Sequence, residues 1–332
     1  MISNKKQKIR TRSSHNCYIC GAKGQPLYHG LEDRLFGAPG LWDLKKCPDP
    51  ECGLVWMDPM PIEEDIGKAY ETYYTHEEET NGRNDNLKKT ICRQFLRKLY
   101  VLFRFFAGLD RQWQRVYMMY LDHIQPGKLL EIGCGNGQRL ALFQSRGWIV
   151  EGQEVDQKAA RQVYNRFGIK VYLGKLEHLD LKETTYDAII INHVIEHVHD
   201  PVDLLKECRC LLKPKGLLIA ITPNIESRGH RIFRSCWYGL DPPRHLRLYS
   251  VNTLRKLAEQ AGFTKINSWT TAANADVIAR GSFKIRRTNK HNTLKWSDLI
   301  LAVKTLWFHL FSSLSLLLNK YSGEECVLRV VK

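Results

Sequence analysis

The stretch that decides the fold runs from Lys128 to Gln138 and reads Lys-Leu-Leu-Glu-Ile-Gly-Cys-Gly-Asn-Gly-Gln. An apolar run that contains an acid and leads into a glycine at every second position predicts a strand that turns sharply into a helix. Glycine adopts backbone conformations that other residues resist, and it lets a ligand lie directly against the main chain. A dinucleotide-binding turn would have its third glycine at position 138, where this chain has glutamine. The stretch therefore predicts either a different kind of cofactor turn or a purely structural one.

The composition is that of an ordinary globular protein. The 332 residues are 43% hydrophobic, which is enough for one large domain and a smaller one. The ten cysteines fall at irregular spacings and no secretory apolar segment follows the basic start, so we expect no disulfide framework and a cytoplasmic location. The net charge of +15 favours anionic partners such as nucleic acid, phosphorylated intermediates or an anionic membrane face.

Two cysteine pairs near the N-terminus predict a metal site. Cys17 and Cys20 form one pair, and Cys47 and Cys52 flank a Pro-Asp-Pro-Glu turn. The residues between the pairs are rich in Gly and Pro and could bury little apolar surface alone, so four thiolates around Zn²⁺ would supply folding free energy. All four positions are cysteine, which indicates a structural rather than a catalytic zinc. Buried or redox-active thiols are the alternative.

The chain divides into three predicted parts. The first holds a basic arm, expected to be disordered over residues 1–12, followed by a zinc-ribbon-like module. The second is a helical linker, and the third is a catalytic domain with two insertions. The predicted bounds are 1–60, 61–120 and 121–332, with insertions near 226–250 and 282–320.

The linker contains two predicted helical segments. Pro61 and the acids after it predict a helix that runs to about Tyr74. Residues 87–124 are basic and aromatic, with apolar residues at helical spacing. Such a stripe predicts a core or interdomain contact, and a membrane-surface helix is the alternative.

From Leu129 onward the chain alternates strands and helices, as an α/β sheet does. The second strand ends at Glu154, an acid that in a Rossmann-like sheet lies beside the glycine turn and can bind both ribose hydroxyls. Asp156 is expected to cap the next helix instead. The second to fifth strands are predicted at 147–154, 170–173, 186–191 and 216–224.

Three features together carry a family resemblance: the glycine turn, Glu154, and the run from Asp187 to Val198, which reads Asp-Ala-Ile-Ile-Ile-Asn-His-Val-Ile-Glu-His-Val. The chain resembles class I S-adenosylmethionine-dependent methyltransferases, whose first motif is E/D-x-G-x-G-x-G. The nearest branch holds ubiquinone-biosynthesis O-methyltransferases and methyltransferases of sugar and cell-surface pathways, and some sugar C-methyltransferases carry an N-terminal zinc module. The resemblance covers 121–332 and implies a Rossmann-like seven-stranded α/β sheet with a last strand at 324–331.

The resemblance also implies which residues hold S-adenosylmethionine. Glu131 and the glycine turn would hold the methionine part, Glu154 the ribose, and the segment after the third strand the adenine. The implied cofactor residues are Glu131, Gly133, Cys134, Gly135, Gly137, Glu154, Val155, Leu176, Glu177 and Asn192.

The exit of the fourth strand holds candidate catalytic residues. His193, Glu196 and His197 are spaced i, i+3 and i+4, so in a helix they would share one face toward the carboxyl ends of the strands. Related ubiquinone-type and RNA-end enzymes have an E-x-x-E-H run here that resembles a divalent-metal site. His193 replaces its first acid, which disfavours Mg²⁺ because that ion prefers oxygen ligands. General-base or substrate-orienting chemistry, a second divalent metal at these three residues, and a structural helix start all remain open.

His245 lies in the segment Asp241-Pro-Pro-Arg-His-Leu246, which resembles the substrate-covering insertion of this branch. A histidine framed by prolines is positioned rather than mobile, so it is a third catalytic candidate. The alternative is a surface histidine that caps the helix starting near Ser250. Residues 299–318 form the most apolar stretch and contain Lys304 and His309, so we expect an amphipathic helix that packs on the domain or lies on a membrane, not a transmembrane segment.

These observations predict methyl transfer to an oxygen, with carbon as the alternative atom, of a small-molecule, sugar or lipid-linked acceptor. His193, His197 or His245 would take the proton of that acceptor. An RNA methyltransferase with a substrate-binding zinc ribbon would also explain the charge, but no Asn-Pro-Pro-Tyr-type motif is present, so nucleic acid is the less expected partner. A non-catalytic binding protein with a retained cofactor fold is the other rival. Peripheral contact with the inner membrane surface is a further expectation.

Overall fold

The computed structural model describes residues 8–71, 109–288 and 298–332. A seven-stranded mixed sheet lies at its centre, and a smaller four-stranded sheet and a two-stranded pair lie at the N-terminal side. The strands are β1 (Thr11–Arg12), β2 (Gln25–Leu31), β3 (Trp42–Lys46), β4 (Val55–Met57), β5 (Met60–Pro61), β6 (Lys128–Ile132), β7 (Ile149–Glu154), β8 (Lys170–Leu173), β9 (Tyr186–Asn192), β10 (Leu212–Pro223), β11 (Arg247–Leu248), β12 (Lys265–Thr271) and β13 (Glu325–Val331).

The helices cover the central sheet or extend from it. In the described ranges they are α1 (Leu109–Tyr117), α2 (Gln138–Ser145), α3 (Gln157–Phe167), α4 (Pro201–Leu211), α5 (Arg228–Phe233), α6 (Val251–Gln260), α7 (Ala275–Thr288) and α8 (Asp298–Leu318), with short 3₁₀ turns at Ile66–Tyr70, Leu176–His178, Arg234–Cys236 and Tyr238–Leu240.

The strand order of the central sheet fixes the position of the site. The order is β12-β13-β10-β9-β6-β7-β8, in which the last five are parallel and β13 runs antiparallel between β10 and β12. The carboxyl ends of the parallel strands and the first residue of β13 therefore meet at one edge. The predicted seven-stranded Rossmann-like α/β sheet is confirmed.

Two strands differ from the sequence-based expectation. β10 begins at Leu212, four residues early, and its pairing with β9 shifts register between Leu212 and Leu217. β12 was not predicted, because it is a half-exposed edge strand whose residues lack a continuous apolar run.

The N-terminal module shares a sheet and a core with the catalytic domain. Its four strands are ordered β11-β4-β3-β2, and β11 comes from residues 247–248 of the catalytic part of the chain. Trp56 of β4 pairs with Arg247, and it belongs to one buried cluster with Trp237 and Leu248. The module is therefore built into the catalytic domain rather than tethered to it.

The predictions for the first linker and the basic arm need correction. Thr11–Arg12 pairs with Met60–Pro61, and Arg10 donates to Asp65 through its amide and guanidinium at 2.9 to 3.1 Å. Disorder is therefore wrong for residues 8–12, because a buried carboxylate anchors them. The helix expected from Pro61 is a 3₁₀ turn at Ile66–Tyr70, and most of the basic-aromatic segment lies outside the described residues.

α8 confirms the expected helix in the last apolar stretch. One helix in the described part of the chain, over Ile300–Leu318, is long and apolar enough to cross a membrane by length and composition alone. That test is weak by itself, since core helices of globular proteins also meet it.

Candidate functional site

The three glycines after β6 have distinct physical roles. All have positive φ angles, of 64°, 53° and 70° for Gly133, Gly135 and Gly137. A Cβ on Gly133 would lie 2.5 Å from Val194, and one on Gly137 would lie 2.7 Å from Val163, so both are needed for close packing. A Cβ on Gly135 would meet no atom within 4 Å. The middle glycine therefore leaves open space where a ligand can approach the main chain.

Glu154 lies beside this turn, as the sequence predicts. Its carboxylate accepts from the amides of Gly135 at 2.8 Å, Val155 at 2.8 Å and Asp156 at 3.1 Å. Asp156 caps α3 by accepting from Lys158, as expected. A carboxylate has about four lone-pair positions, so Glu154 retains acceptor capacity beside the open side of the turn.

The predicted adenine-side residues are held near the end of β7. Gly174 donates its amide to the Glu154 carbonyl at 2.9 Å, which ties the loop after β8 to that strand. Leu176 is buried in this loop, whereas Glu177 and Val155 are exposed. An apolar floor with open neighbours fits the face of a flat heterocycle.

Glu131 and Arg139 form a buried pair with unfilled hydrogen-bonding capacity. Arg139 Nη1 donates to Glu131 Oε1 at 3.1 Å, while Glu131 Oε2 and Arg139 Nε are buried with no hydrogen-bond partner. Burial raises the pKa of Glu131 to about 7, although the nearby guanidinium acts in the opposite direction. The side-chain oxygen of Asn192, when it faces Arg139, accepts hydrogen bonds from both Nη atoms of that guanidinium at 3.3 Å.

Buried polar groups without hydrogen-bond partners destabilise the folded protein unless a ligand supplies the missing hydrogen bonds. A free carboxylate oxygen and a free guanidinium N–H match the ammonium and the carboxylate of an α-amino acid, which is the methionine end of S-adenosylmethionine. The residues therefore fit the implied cofactor. Arg139 could not be predicted from the sequence, because its only signal is a cation at the start of the helix after the glycine turn.

His193 lies between two carboxylates at the exit of β9. Its Nδ1 is 3.3 Å from Glu196 Oε1, and its Nε2 is 2.9 Å from Glu325 Oε1. Burial would lower the pKa of His193, but these two hydrogen bonds outweigh it and raise the pKa to about 10. The imidazole is thus protonated near neutrality and has no lone pair for a base. A protonated imidazole cannot accept a proton, so His193 is less suited to the role of base than a neutral histidine.

His197 and His245 each direct Nδ1 toward a backbone carbonyl instead of a carboxylate. The Nδ1 of His197 is 3.0 Å from the Arg244 carbonyl and that of His245 is 2.8 Å from the Gly239 carbonyl, so each Nδ1 carries a proton. Each Nε2 is then left as an acceptor. Burial and the neighbouring His245 lower the pKa of His197 to about 4, so it is neutral at physiological pH.

The histidines converge with Glu196, although not through a helix. The residues after β9 form a turn and α4 begins only at Pro201, so the expected helical face is wrong. Glu196, His197 and His245 nevertheless place one ligand atom each within 4.8 Å of one another. The alternative that His245 caps α6 is also wrong, because Ser250 accepts from the Thr253 amide and His245 is buried.

Carboxylates and an amide support this cluster. Glu196 is fully buried and accepts from Thr222 Oγ1 at 2.8 Å. Burial raises the pKa of Glu196, but the hydrogen bond from His193 and the nearby imidazoles together outweigh burial. The net result is a pKa lowered to about 2. Glu325, at the start of β13, accepts from Asn274 Nδ2 at 2.9 and 3.0 Å. Glu325 and Asn274 could not be predicted from the sequence, since only the strand order brings them to this edge.

The four predicted zinc ligands lie together. Cys17 and Cys52 are 3.5 Å apart at Sγ, Cys20 and Cys47 are 3.4 Å apart, and all four sulfurs lie within 4.8 Å of one another. A tetrahedral zinc with Zn–S bonds of about 2.3 Å separates its sulfurs by about 3.8 Å. Positive φ angles at Gly21 and Gly53 make the two knuckle turns. Within the described ranges every cysteine is a free thiol.

Comparison with known proteins agrees with this geometry. Residues 105–268 match the family model described as "Methyltransferase domain". A probable S-adenosylmethionine-dependent methyltransferase of Mycolicibacterium smegmatis is 30% identical over 46% of this chain and 58% of its own length. A ubiquinone biosynthesis O-methyltransferase of Histophilus somni is 31% identical over 29% of this chain and 45% of its own.

Among solved structures, a Thermotoga maritima protein titled as a SAM-dependent methyltransferase, possible histamine N-methyltransferase, is 21% identical. The match covers 72% of this chain and 98% of that one, with a TM-score of 0.45. The chain spans about half the length of the curated relatives it matches. Residues 105–268 thus match a methyltransferase domain, and the seven-stranded sheet and the glycine turn agree with the fold that the sequence predicts.

The Glu154 assignment predicts a loss of donor binding. We expect Glu154→Ala to weaken S-adenosylhomocysteine binding by about 2 kcal/mol or more, roughly 30-fold, because a charge-assisted contact to the ribose is removed. Isothermal titration measures the change, with the exposed Glu183→Ala as control. Equal affinity of both variants would move the ribose contact elsewhere.

The His193 ion cluster predicts a pH-dependent stability. The folded pKa of His193 is about 10 against an ordinary value of 6.5, so its contribution is fully present below pH 6.5 and lost as pH rises through 10. We expect the difference in melting temperature between wild type and His193→Gln to be largest near pH 6 and to shrink toward pH 10. The exposed His178→Gln serves as control. A difference that is constant with pH would show that His193 is uncharged.

Proposed function

We propose that the protein transfers the methyl group of S-adenosylmethionine to an oxygen of a small-molecule, sugar or lipid-linked acceptor. The observation that carries the proposal is the juxtaposition, at one edge of the sheet, of the incomplete Glu131–Arg139 pair and the histidine cluster around Glu196. The first group fits the donor, and the second can handle a proton. The name of the ubiquinone O-methyltransferase relative supports oxygen as the acceptor atom.

In the proposed mechanism the residues of the chain hold the donor, orient the acceptor and remove its proton. The donor supplies an activated methyl group on sulfur, so alignment and exclusion of water are the main tasks of the chain. Glu131 and Arg139 hold the amino-acid end, and Glu154 holds the ribose. The Nε2 of His197 or His245 takes the proton of the acceptor hydroxyl. The His193 imidazolium holds the carboxylates of Glu196 and Glu325 in place at this edge.

A divalent metal is the second candidate role for the cluster. The set favoured by geometry is Glu196, His197 and His245, with His245 in place of the His193 expected from the sequence. The Nδ1–H groups that face carbonyls leave both Nε2 atoms toward a ligand, as in many metal-binding histidines. In that case the metal would orient the acceptor oxygen and acidify it.

Chelation distinguishes a base from a metal. We expect turnover to survive dialysis against EDTA at levels that leave one zinc per chain, with zinc content measured in the same samples. Loss of activity that a divalent ion restores would show that Glu196, His197 and His245 are ligands. The full chain is required for this test, because a chain beginning near Pro61 would lose β4, the partner of β11.

We also propose that the cysteine cluster binds one structural Zn²⁺. The short sulfur–sulfur distances and the glycine knuckles support it. Three of the four cysteines are buried, so the ion would be enclosed and have no open position for a substrate.

Labelled donor and a fractionated cell extract test the proposed acceptor class. We expect label in lipid or nucleotide-sugar fractions from wild type and none from Glu131→Ala. Label that enters RNA and disappears after ribonuclease treatment would favour the RNA methyltransferase alternative. Absence of transfer to every fraction, with donor binding intact, would favour a non-catalytic binding protein.

A further inference from the structure

One face of α8 exposes a row of large apolar side chains, here called the apolar stripe. Its members recur every three or four residues, the spacing of one helix face. Their exposed fractions range from 41% at Val303 to 92% at Leu318. In the described residues, eight of the sixteen exposed large apolar side chains lie between 300 and 321. The stripe consists of Ile300, Val303, Trp307, Phe311, Leu314 and Leu318.

The opposite face of α8 is fixed to the domain. Thr305, His309 and Ser312 are buried, and Ser312 donates to Glu324 at 3.1 Å. His309 lies 3.8 Å from Asp276 at the start of α7, so the two helices pack side by side. β13 begins seven residues after α8 ends, inside the central sheet. The helix therefore lies on the domain and does not leave it to span a bilayer.

The surroundings of the apolar stripe are basic. Residues 300–318 contain no acid. Arg280, Lys284 and Arg287 are exposed at helical spacing on the neighbouring α7. Arg228 places its guanidinium 5.4 Å from the Phe311 ring, and exposed Lys320 follows the end of α8. An apolar row bordered by cations is complementary to a surface with negative charges on the outside and apolar groups below them.

We propose that the apolar stripe and its basic neighbours bind the surface of an anionic bilayer. A helix with one apolar face and cationic flanks lies in the plane of the interface with its apolar side chains among the acyl chains. Trp307 and Tyr321 are the residue types that favour the headgroup level. The cations attract anionic headgroups over a Debye length.

The position of α8 relates this surface to the catalytic edge, a step that rests on the proposed function. Asn224, at the end of β10, donates its amide to the carbonyls of Tyr321 at 3.0 Å and Gly323 at 2.7 Å. Glu325, two residues later, contacts His193. The C-terminal end of the stripe therefore adjoins the edge that holds the proposed acceptor site. A bilayer bound there would present a lipid-linked acceptor to that edge.

Vesicle co-sedimentation of the full chain tests the proposal. We expect at least tenfold tighter binding to phosphatidylcholine vesicles containing 30% phosphatidylglycerol than to phosphatidylcholine alone, in roughly 0.1 M salt. The double variant Trp307→Ser/Phe311→Ser is expected to bind at least tenfold more weakly. Leu41→Ser/Tyr164→Ser removes equally exposed apolar residues elsewhere and is expected to bind as wild type.

A second variant covers the case in which the first misfolds. Arg280→Glu/Lys284→Glu changes exposed side chains of α7 and is expected to lose the preference for anionic vesicles. Wild type that binds neither vesicle, or a stripe variant that binds like wild type, would overturn the proposal, and self-association through the stripe would then show in sedimentation equilibrium. Titration with S-adenosylhomocysteine in the same preparations tests the proposed function separately.

Discussion

Cys17→Ser/Cys20→Ser is expected to yield protein without zinc whose first sixty residues no longer fold. Structural zinc in small modules contributes about 10 kcal/mol or more, and a site with two serines cannot retain it. Wild type is expected to contain about one zinc per chain. Metal analysis measures the ion, and limited proteolysis with mass spectrometry locates the unfolded segment.

The control is Cys210→Ser, which removes an exposed thiol far along the chain from the knuckles. It is expected to keep both zinc and protease resistance. Knuckles that stay folded without any metal would refute the zinc proposal and favour packed thiols.

Unfolding of the N-terminal module is expected to disturb the position of the histidine cluster as well. Arg244 is fully buried between Asp33 of the module and Asp241, at 2.9 and 2.6 Å, and it donates to the Ala69 carbonyl. Removing Asp33 from this position would leave a buried cation incompletely paired, which is strongly destabilising. Arg244 precedes His245 directly, so the zinc variant is expected to lose turnover as well.

The second large effect is expected at His197 and His245. At least one of the variants His197→Ala and His245→Ala is expected to lower kcat by about 10²-fold or more, because proton removal by a positioned base contributes 10²- to 10⁴-fold. The affinity for S-adenosylhomocysteine is expected to stay within about twofold, since Glu131 and Glu154 lie on strands β6 and β7. Single-turnover transfer of labelled methyl to the acceptor fraction measures kcat, and titration measures affinity.

His178→Ala is the matched control, an exposed histidine after β8 at the same edge. Full activity of both cluster variants would show that neither histidine takes the proton. Equal losses of activity and donor affinity would point to a disturbed fold instead. The Tyr70 hydroxyl lies 2.9 Å from His197 Nδ1, so Tyr70→Phe offers a milder perturbation of the same ring.

Local signals in the sequence were enough to predict part of the site. The glycine turn, Glu154 and Asp156 follow one another within strand–turn–helix units, so their geometry depends on neighbours in the chain. The spacing of the two cysteine pairs is likewise visible in short stretches of the sequence. The other residues of the site meet only through contacts between distant parts of the chain, which no local pattern predicts.

Glu325 shows this most clearly. It meets His193 only because β13 inserts antiparallel between β10 and β12, 132 positions along the chain from its partner. The charge of His193 could not be inferred from its spacing to Glu196, because it depends on Glu325 as well. Likewise, residues 8–12 looked disordered by composition, yet Asp65 anchors Arg10.

The proposed function depends on a donor site formed by the glycine turn, Glu131, Arg139 and Glu154. Isothermal titration of wild type with S-adenosylhomocysteine tests it most directly, with Glu131→Ala as the paired variant. We expect one bound equivalent per chain for wild type and at least tenfold weaker binding for the variant. Absence of binding to folded wild-type protein, or equal binding by both, would contradict it.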